Sequence, residues 1–209
     1  MTSIFVPAGG SASDDIVFAT AIALARPLQA HLHFLHVDMR GGVVPAHADF
    51  ARGEALRNAI RTAEARAGAR TLSAREHVHE FCSAEGIIMA EDWATPRPLG
   101  GVTASLRLAG PQSVGQMVRE ARYADFTVMA RASAGNGLPR DLLADVLMQS
   151  GRPMLIAGKS APKTLTGTIL VCWRETPDAA RVLMAAQPLL RQAQQVVIQG
   201  SDHGLSDFA

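Results

Sequence analysis

The sequence predicts an α/β protein built on a doubly wound, five-stranded parallel sheet, followed by a partial second copy of the same motif. Three observations lead there. Short apolar runs of strand length alternate with segments of helical periodicity through residues 1–158. A strand, turn, helix, strand pattern opens at Ile4-Phe5-Val6-Pro7 and closes at Asp38, and a like pattern opens at Ile169-Leu170-Val171-Cys172 and closes at Asp202. The offsets, 169 − 4 = 165 and 202 − 38 = 164, keep nearly one internal spacing, the mark of an internal repeat.

Taken in order, Ile4 to Pro7 is a strand ended by Gly9-Gly10, and Ser11-Ala12-Ser13-Asp14 has the serine and acid spacing of a capping box that starts a helix. The helix body, Ile16 to Leu28, is alanine-rich and apolar nearly all round, as suits close packing on a sheet. His31 to Val37 is a buried strand. Ala48 to about Ala69 reads as a helix with Leu56, Ile60 and Ala63 facing the core, and Ser73 to Ile88 continues it or forms another. Thr103 to Leu108 alternates like a strand, Val114, Met117, Val118 and Ala121 mark a helix, and Phe126 to Ala130 is the next buried strand. Leu138, Leu142, Leu143, Val146 and Leu147 give a further helix face, Gly151 caps it, and Pro153 to Ala157 is the fifth strand.

Gly158 to Gly167 reads as an exposed linker, which divides the chain into a complete domain at 1–158, a linker at 159–167 and an incomplete unit at 168–209. That last stretch is too short to bury a core of its own. Val171, Leu183, Leu189, Leu190, Val196 and Ile198 therefore need a partner surface: the segment docks on the first domain's own sheet edge, pairs with another chain, or is a truncation whose remaining half domain is absent, and of these a homodimer or another protein partner is expected. With 48% hydrophobic residues the chain is an ordinary globular one, and a net charge of +1 without any basic run implies neither nucleic acid nor an anionic membrane as partner. The N-terminus lacks a signal-peptide pattern and Ile16–Ala25 is too short to span a bilayer, so a cytoplasmic location is expected. Cys82 and Cys172 stand far apart and read as two buried thiols in a reducing compartment.

His31 and His33 share one strand face, and His77 and His79 lie near Glu80 and Cys82, but no second cluster at zinc-ligand spacing supports a metal. A helix through Arg75–Cys82 would turn His77 and His79 about 200° apart. No nucleophile elbow or paired-carboxylate motif stands out, so neither catalytic residues nor a metal site are expected.

Ala121-Arg122-Tyr123-Ala124-Asp125-Phe126-Thr127-Val128-Met129, Ser150-Gly151-Arg152-Pro153-Met154-Leu155-Ile156, and Ile169-Leu170-Val171-Cys172-Trp173 with Asp178-Ala179-Ala180-Arg181 and Pro188-Leu189-Leu190-Arg191 resemble the universal stress proteins in their tandem form. The resemblance implies a Rossmann-like strand order of 3-2-1-4-5, pairing of domains through the fifth strand, and a cleft over the first and fourth strands that binds ATP in some members. If a nucleotide binds, the resemblance puts it over Ala8, Gly9, Gly10, Val37, Ala130, Gly135 and Gly137.

The residues argue against a working cleft. ATP-binding members resemble one another in an aspartate at the end of the first strand, where this chain has Gly9. Their glycine pattern after the fourth strand is replaced by Ala130-Arg131-Ala132-Ser133-Ala134-Gly135-Asn136-Gly137 and then Arg140-Asp141, whose carboxylate would repel a triphosphate. Gly135-Asn136-Gly137 reads as a turn with positive backbone dihedrals. Arg174-Glu175-Thr176 in the second unit is no better a phosphate loop. Gly9-Gly10-Ser11 with Asp14 loosely resembles the loop of adenylating ATP pyrophosphatases, but Ala8 stands where their leading serine belongs. The expectation is a non-enzymatic protein, without a cofactor, that acts through protein association. An ATP-dependent switch is the alternative and an adenylating enzyme a distant third.

Overall fold

The computed structural model describes residues 2–37, 54–90, 100–110, 114–131, 138 and 141–200. Asp38, Gly135, Asn136, Gly137, Arg140 and Asp202 lie outside them. The chain runs β1 (Ser3–Pro7), α1 (Asp14–Leu28), β2 (His31–Val37), α2 (Glu54–Ala84), β3 (Ile88–Met89), β4 (Thr103–Ala109), α3 (Val114–Tyr123), β5 (Phe126–Met129), α4 (Leu142–Gln149), β6 (Met154–Ile156), β7 (Thr168–Trp173), α5 (Pro177–Leu190) and β8 (Gln195–Gly200).

The main sheet has the order β3-β4-β2-β1-β5-β6, every pairing in it parallel. The five expected strands keep the order 3-2-1-4-5, as β4-β2-β1-β5-β6. A sixth strand was not expected: β3 is two residues long, too short to leave a period-2 signal, and it pairs with the start of β4 at the sheet edge.

Alternation along the strands builds two cores. Ile4, Val6, Leu32 and Phe34 face α1 and α2, where they meet Phe18, Ala21, Leu24, Ala74, Val78 and Cys82. Phe5, Leu35 and Val37 face α3 and α4, against Met117, Val118, Ala121, Leu142 and Val146. The ring of Phe34 is edge-on to Phe18 at 4.9 Å between centroids, a favoured aromatic geometry.

The helix expected over Ala48–Ala69 is present from Glu54 on, residues 48–53 lying outside the described ones; its continuation from Ser73 belongs to the same helix, α2, which ends at Ala84 so that Ile88 starts β3 instead, and the part that packs is its C-terminal half. Ala74, Val78 and Cys82, spaced four apart, are buried, whereas Ile60 is 38% exposed and Leu56 and Ala63 are only half-buried. Length is the reason. At 1.5 Å per residue α2 is about 46 Å long, roughly twice the reach of the seven-residue β2 beneath it.

Cys82 is buried, as expected, but Cys172 is exposed, sharing with Thr168 and Leu170 the exposed face of β7. Burial pushes the Cys82 thiol up to about 11. A thiol reagent at pH 8 is therefore expected to label one cysteine per folded chain, Cys172, and the second only after denaturation. Two rapid equivalents in the folded protein would contradict the packing of Cys82.

β7, α5 and β8 form a two-stranded parallel sheet of their own, separate from the main sheet. The second unit thus does not dock on the edge of the first domain's sheet. Its pairing register repeats the first: Thr168 lies opposite Gln195, an offset of 27, as Ser3 lies opposite His31, an offset of 28. Thr176 caps α5, its hydroxyl accepting from the Ala179 N–H at 3.2 Å. None of residues 158–200 is buried. Leu165 and Leu189 touch the first core, and Gln192 donates to the Pro27 carbonyl at 3.2 Å.

Candidate functional site

In open α/β sheets, ligands bind outside the carboxyl ends of the strands where the order reverses, here between β1 and β5. The structure brings Ala8, Gly9 and Gly10 after β1, Val37 at the end of β2 and Ala130 after β5 to this end of three adjacent strands. Gly135 and Gly137 are outside the described residues.

Ala8 is fully buried and its N–H donates to the Leu35 carbonyl at 2.9 Å, continuing the ladder past the end of β1. Gly9 and Gly10 then turn their amides toward the N-terminal end of α1, the geometry that favours an anion. An anion is there already. Asp14 accepts from the Gly9 N–H at 3.1 Å on Oδ1 and from the Gly10 N–H at 2.8 Å on Oδ2, and its side chain is nearly out of reach of solvent.

This revises the expected capping box. Ser13 occupies the N-cap without a side-chain cap bond, because its hydroxyl pairs with that of Ser11 at 2.9 Å, and the acid of the pair reaches back past it to the two glycines. Burial raises the Asp14 pKa above its ordinary 3.8, against the lowering pull of the backbone donors and of His77.

Gly10 has a second function. Its φ is +69°, and a Cβ built on it would stand 2.3 Å from the Arg70 carbonyl oxygen of α2. The open side of this glycine is filled by the backbone of α2. Two histidines complete the closure. His36 Nδ1 lies 2.8 Å from the Ala8 carbonyl, which only accepts, so Nδ1 carries a proton, and Nε2 lies 3.1 Å from Thr71 Oγ1, whose own hydroxyl donates to the Ala67 carbonyl at 3.0 Å. His77 Nε2 is 3.4 Å from Ser73 Oγ, and its Nδ1 is 4.0 Å from Asp14 Oδ2, beyond hydrogen-bond reach.

Val37 is buried in the α3 and α4 core and Ala130 packs beside the other core, so neither offers a polar group from its side chain. Asp141 sits at the N-cap of α4 without a cap bond of its own side chain, leaving an exposed carboxylate at that helix end. Negative charge thus stands at the N-terminal ends of both α1 and α4.

Sequence reasoning did not single out Asp14, His36, Thr71 and His77 as one group. The signal for Asp14 was its place four residues after Gly10. Thr71 and His77 carried none, because α2 meets the loop only through the fold. The other paired histidines face elsewhere. His31 Nδ1 and Nε2 contact Thr103 and Ser105 hydroxyls at 2.9 and 2.8 Å, and His33 Nε2 lies 3.6 Å from Glu120, which also holds Arg107. Among the described residues no three His, Cys, Asp or Glu side chains gather at one point, and no helix is long and apolar enough to cross a membrane.

The architecture defines a class: open α/β proteins with a switch-point crevice above the central strand. Within that class the chain has the universal stress protein fold. A universal stress protein from Archaeoglobus fulgidus DSM 4304 superposes with a TM-score of 0.63 at 14% identity, over 98% of this chain and 68% of that one. A universal stress protein in complex with cAMP gives 0.46 at 17% identity, covering 76% of this chain and 98% of that one. Universal stress protein UspA from Lactobacillus plantarum gives 0.46 at 16% identity, covering 75% of this chain and 97% of that one. No protein-family model matches the sequence, and no curated protein matches it.

Proposed function

We propose that this chain is a non-enzymatic, universal stress protein-like module in tandem form that works through protein association, with its nucleotide crevice closed by its own side chains. The observation that carries this reading is the Asp14 carboxylate on both glycine amides of the β1–α1 turn. A nucleotide phosphate would have to displace a buried carboxylate from two donors, and would meet the carboxylate of Asp141 at the other helix end. The backbone of α2 against Gly10 supports the same reading, since it takes the space that a glycine leaves for close approach of a ligand. The tandem form rests on the matching registers of β1–β2 and β7–β8. A cytoplasmic place of action suits two unpaired cysteines, one of them exposed.

Calorimetric titration with ATP and magnesium, paired with a thermal melt, tests the closed crevice. The expected result is no saturable heat and no shift of the melt at millimolar ATP. A ligand at a hundred times its dissociation constant would add about 2.7 kcal/mol, roughly 5–10 °C for a chain of this size. Micromolar binding would replace this reading with a nucleotide-dependent switch, and pyrophosphate release from ATP would make the protein an adenylating enzyme.

A further inference from the structure

A cleft lies at the C-terminal end of α1, about 21 Å along that helix from Asp14 and the glycine turn. Its volume is about 210 Å³, and α1, the residue just past α2 and the linker wall it. The floor is apolar and shallow, made by Ala19, Ile22 and Ala23 of α1. The linker is held over it by Leu165, which packs against the first core, and Gln192 fixes the end of α5 nearby through the Pro27 carbonyl. Charges of both signs line the same space with bonding capacity unused. Arg26 Nη2 donates to Glu85 Oε2 at 2.5 Å, which leaves Glu85 Oε1 and the other Arg26 N–H donors without a partner among the described residues. Lys163 of the linker has no acceptor among the described residues either. The carbonyl end of α1 adds partial negative charge on the Glu85 side.

We propose that this cleft binds a small aliphatic α-amino acid as its zwitterion. The carboxylate meets Arg26 and Lys163, the ammonium meets Glu85, and the side chain lies on Ala19, Ile22 and Ala23. The pairing of charges selects this class. A simple anion leaves the Glu85 oxygen unmatched and a simple cation leaves Lys163 unmatched, whereas a zwitterion satisfies both. Size selects within the class. A space of about 210 Å³ equals about seven waters at ~30 Å³ each, room for two charged groups and a short aliphatic chain but not for a nucleotide. Arg26 and Glu85 belong to the first domain and Lys163 to the linker, so the ligand ties the segment that leads into β7 to the end of α1.

Heteronuclear NMR of the full chain, titrated with L-valine, tests the site. The expected result is saturable movement of amide signals in the second half of α1 and in the linker around Lys163, with a roughly millimolar dissociation constant, as suits so few non-hydrogen atoms. Isovalerate, which lacks the amino group, and isobutylamine, which lacks the carboxylate, are expected to bind roughly tenfold more weakly or worse. Glu85→Gln and Lys163→Met are expected to weaken L-valine to a like extent while melting as the wild type does, because neither side chain is buried. No saturable shift with glycine, L-valine or L-leucine at concentrations on the order of tens of millimolar overturns the proposal. So does isovalerate binding as tightly as L-valine, or L-valine binding that both variants keep. The ATP titration reports the opposite end of α1, so its outcome decides the crevice and leaves this site to its own test.

Discussion

Gly10→Ala is expected to destabilise the protein by about 2–5 kcal/mol, the sum of a left-handed backbone for a residue with a Cβ and the displacement of packed backbone. The methyl carbon would stand 2.3 Å from the Arg70 carbonyl oxygen and 3.3 Å from the Ala74 nitrogen, inside one turn of α2. Backbone of a long helix cannot rotate aside as a flexible side chain would. Gly86→Ala is the control, because Gly86 has nearly the same φ, +66°, with nothing within 4 Å of the added carbon. It is expected to lose only the conformational part, about 1 kcal/mol. Urea midpoints of the two variants separate the effects, and equal losses would mean that α2 does not press on the crevice.

Asp14→Ala is expected to cost about 2–3 kcal/mol at neutral pH. The loss comes from two charge-assisted bonds and two amides left without their acceptor, partly offset by removal of a buried charge. The pH dependence carries a sign that can be checked. Burial raises the Asp14 pKa in the folded state above the ordinary 3.8, so between those values the folded chain holds a proton that the unfolded chain has released. Stability contributed by this group is therefore greatest below 3.8 and falls as pH rises through the folded value. Asp14→Asn cannot titrate, so the melting temperature of the wild type relative to Asp14→Asn is expected to fall from pH 3.5 upward. A difference that instead rose with pH would show that the glycine amides hold the carboxylate more strongly than burial opposes it.

The strands were legible where a period of two or a short apolar run had length enough to register. β1, β2, β4 and β5 lie where Ile4, Leu32, Thr103 and Phe126 announce them. β3 was not, since two residues carry no period. Helical spacing in α2 correctly indicated a helix but not which half of it packs, because Leu56, Ile60 and Ala63 continue the same stripe as Ala74, Val78 and Cys82 past the end of the sheet. The loss of the crevice's expected carboxylate at Gly9 was visible as a residue type. That a different carboxylate, five residues later, takes the glycine amides was not, because it depends on the angle at which α1 leaves the turn.

Local order along the chain determined the strand and helix alternation, in the main sheet and in β7–α5–β8 alike, since it follows from side-chain pattern alone. Only the tertiary structure decided that Asp14 and the backbone of α2 occupy the glycine turn after β1 and that β7 and β8 form a sheet separate from the first. Both depend on long-range contacts, α2 against Gly10 and His36 against Thr71 in the one case, and in the other the pairing of β7 with β8 and, among the described residues, with no other strand. Such contacts join residues whose separation along the chain leaves no periodic trace, and the free energy that selects them belongs to the assembled surfaces rather than to any segment.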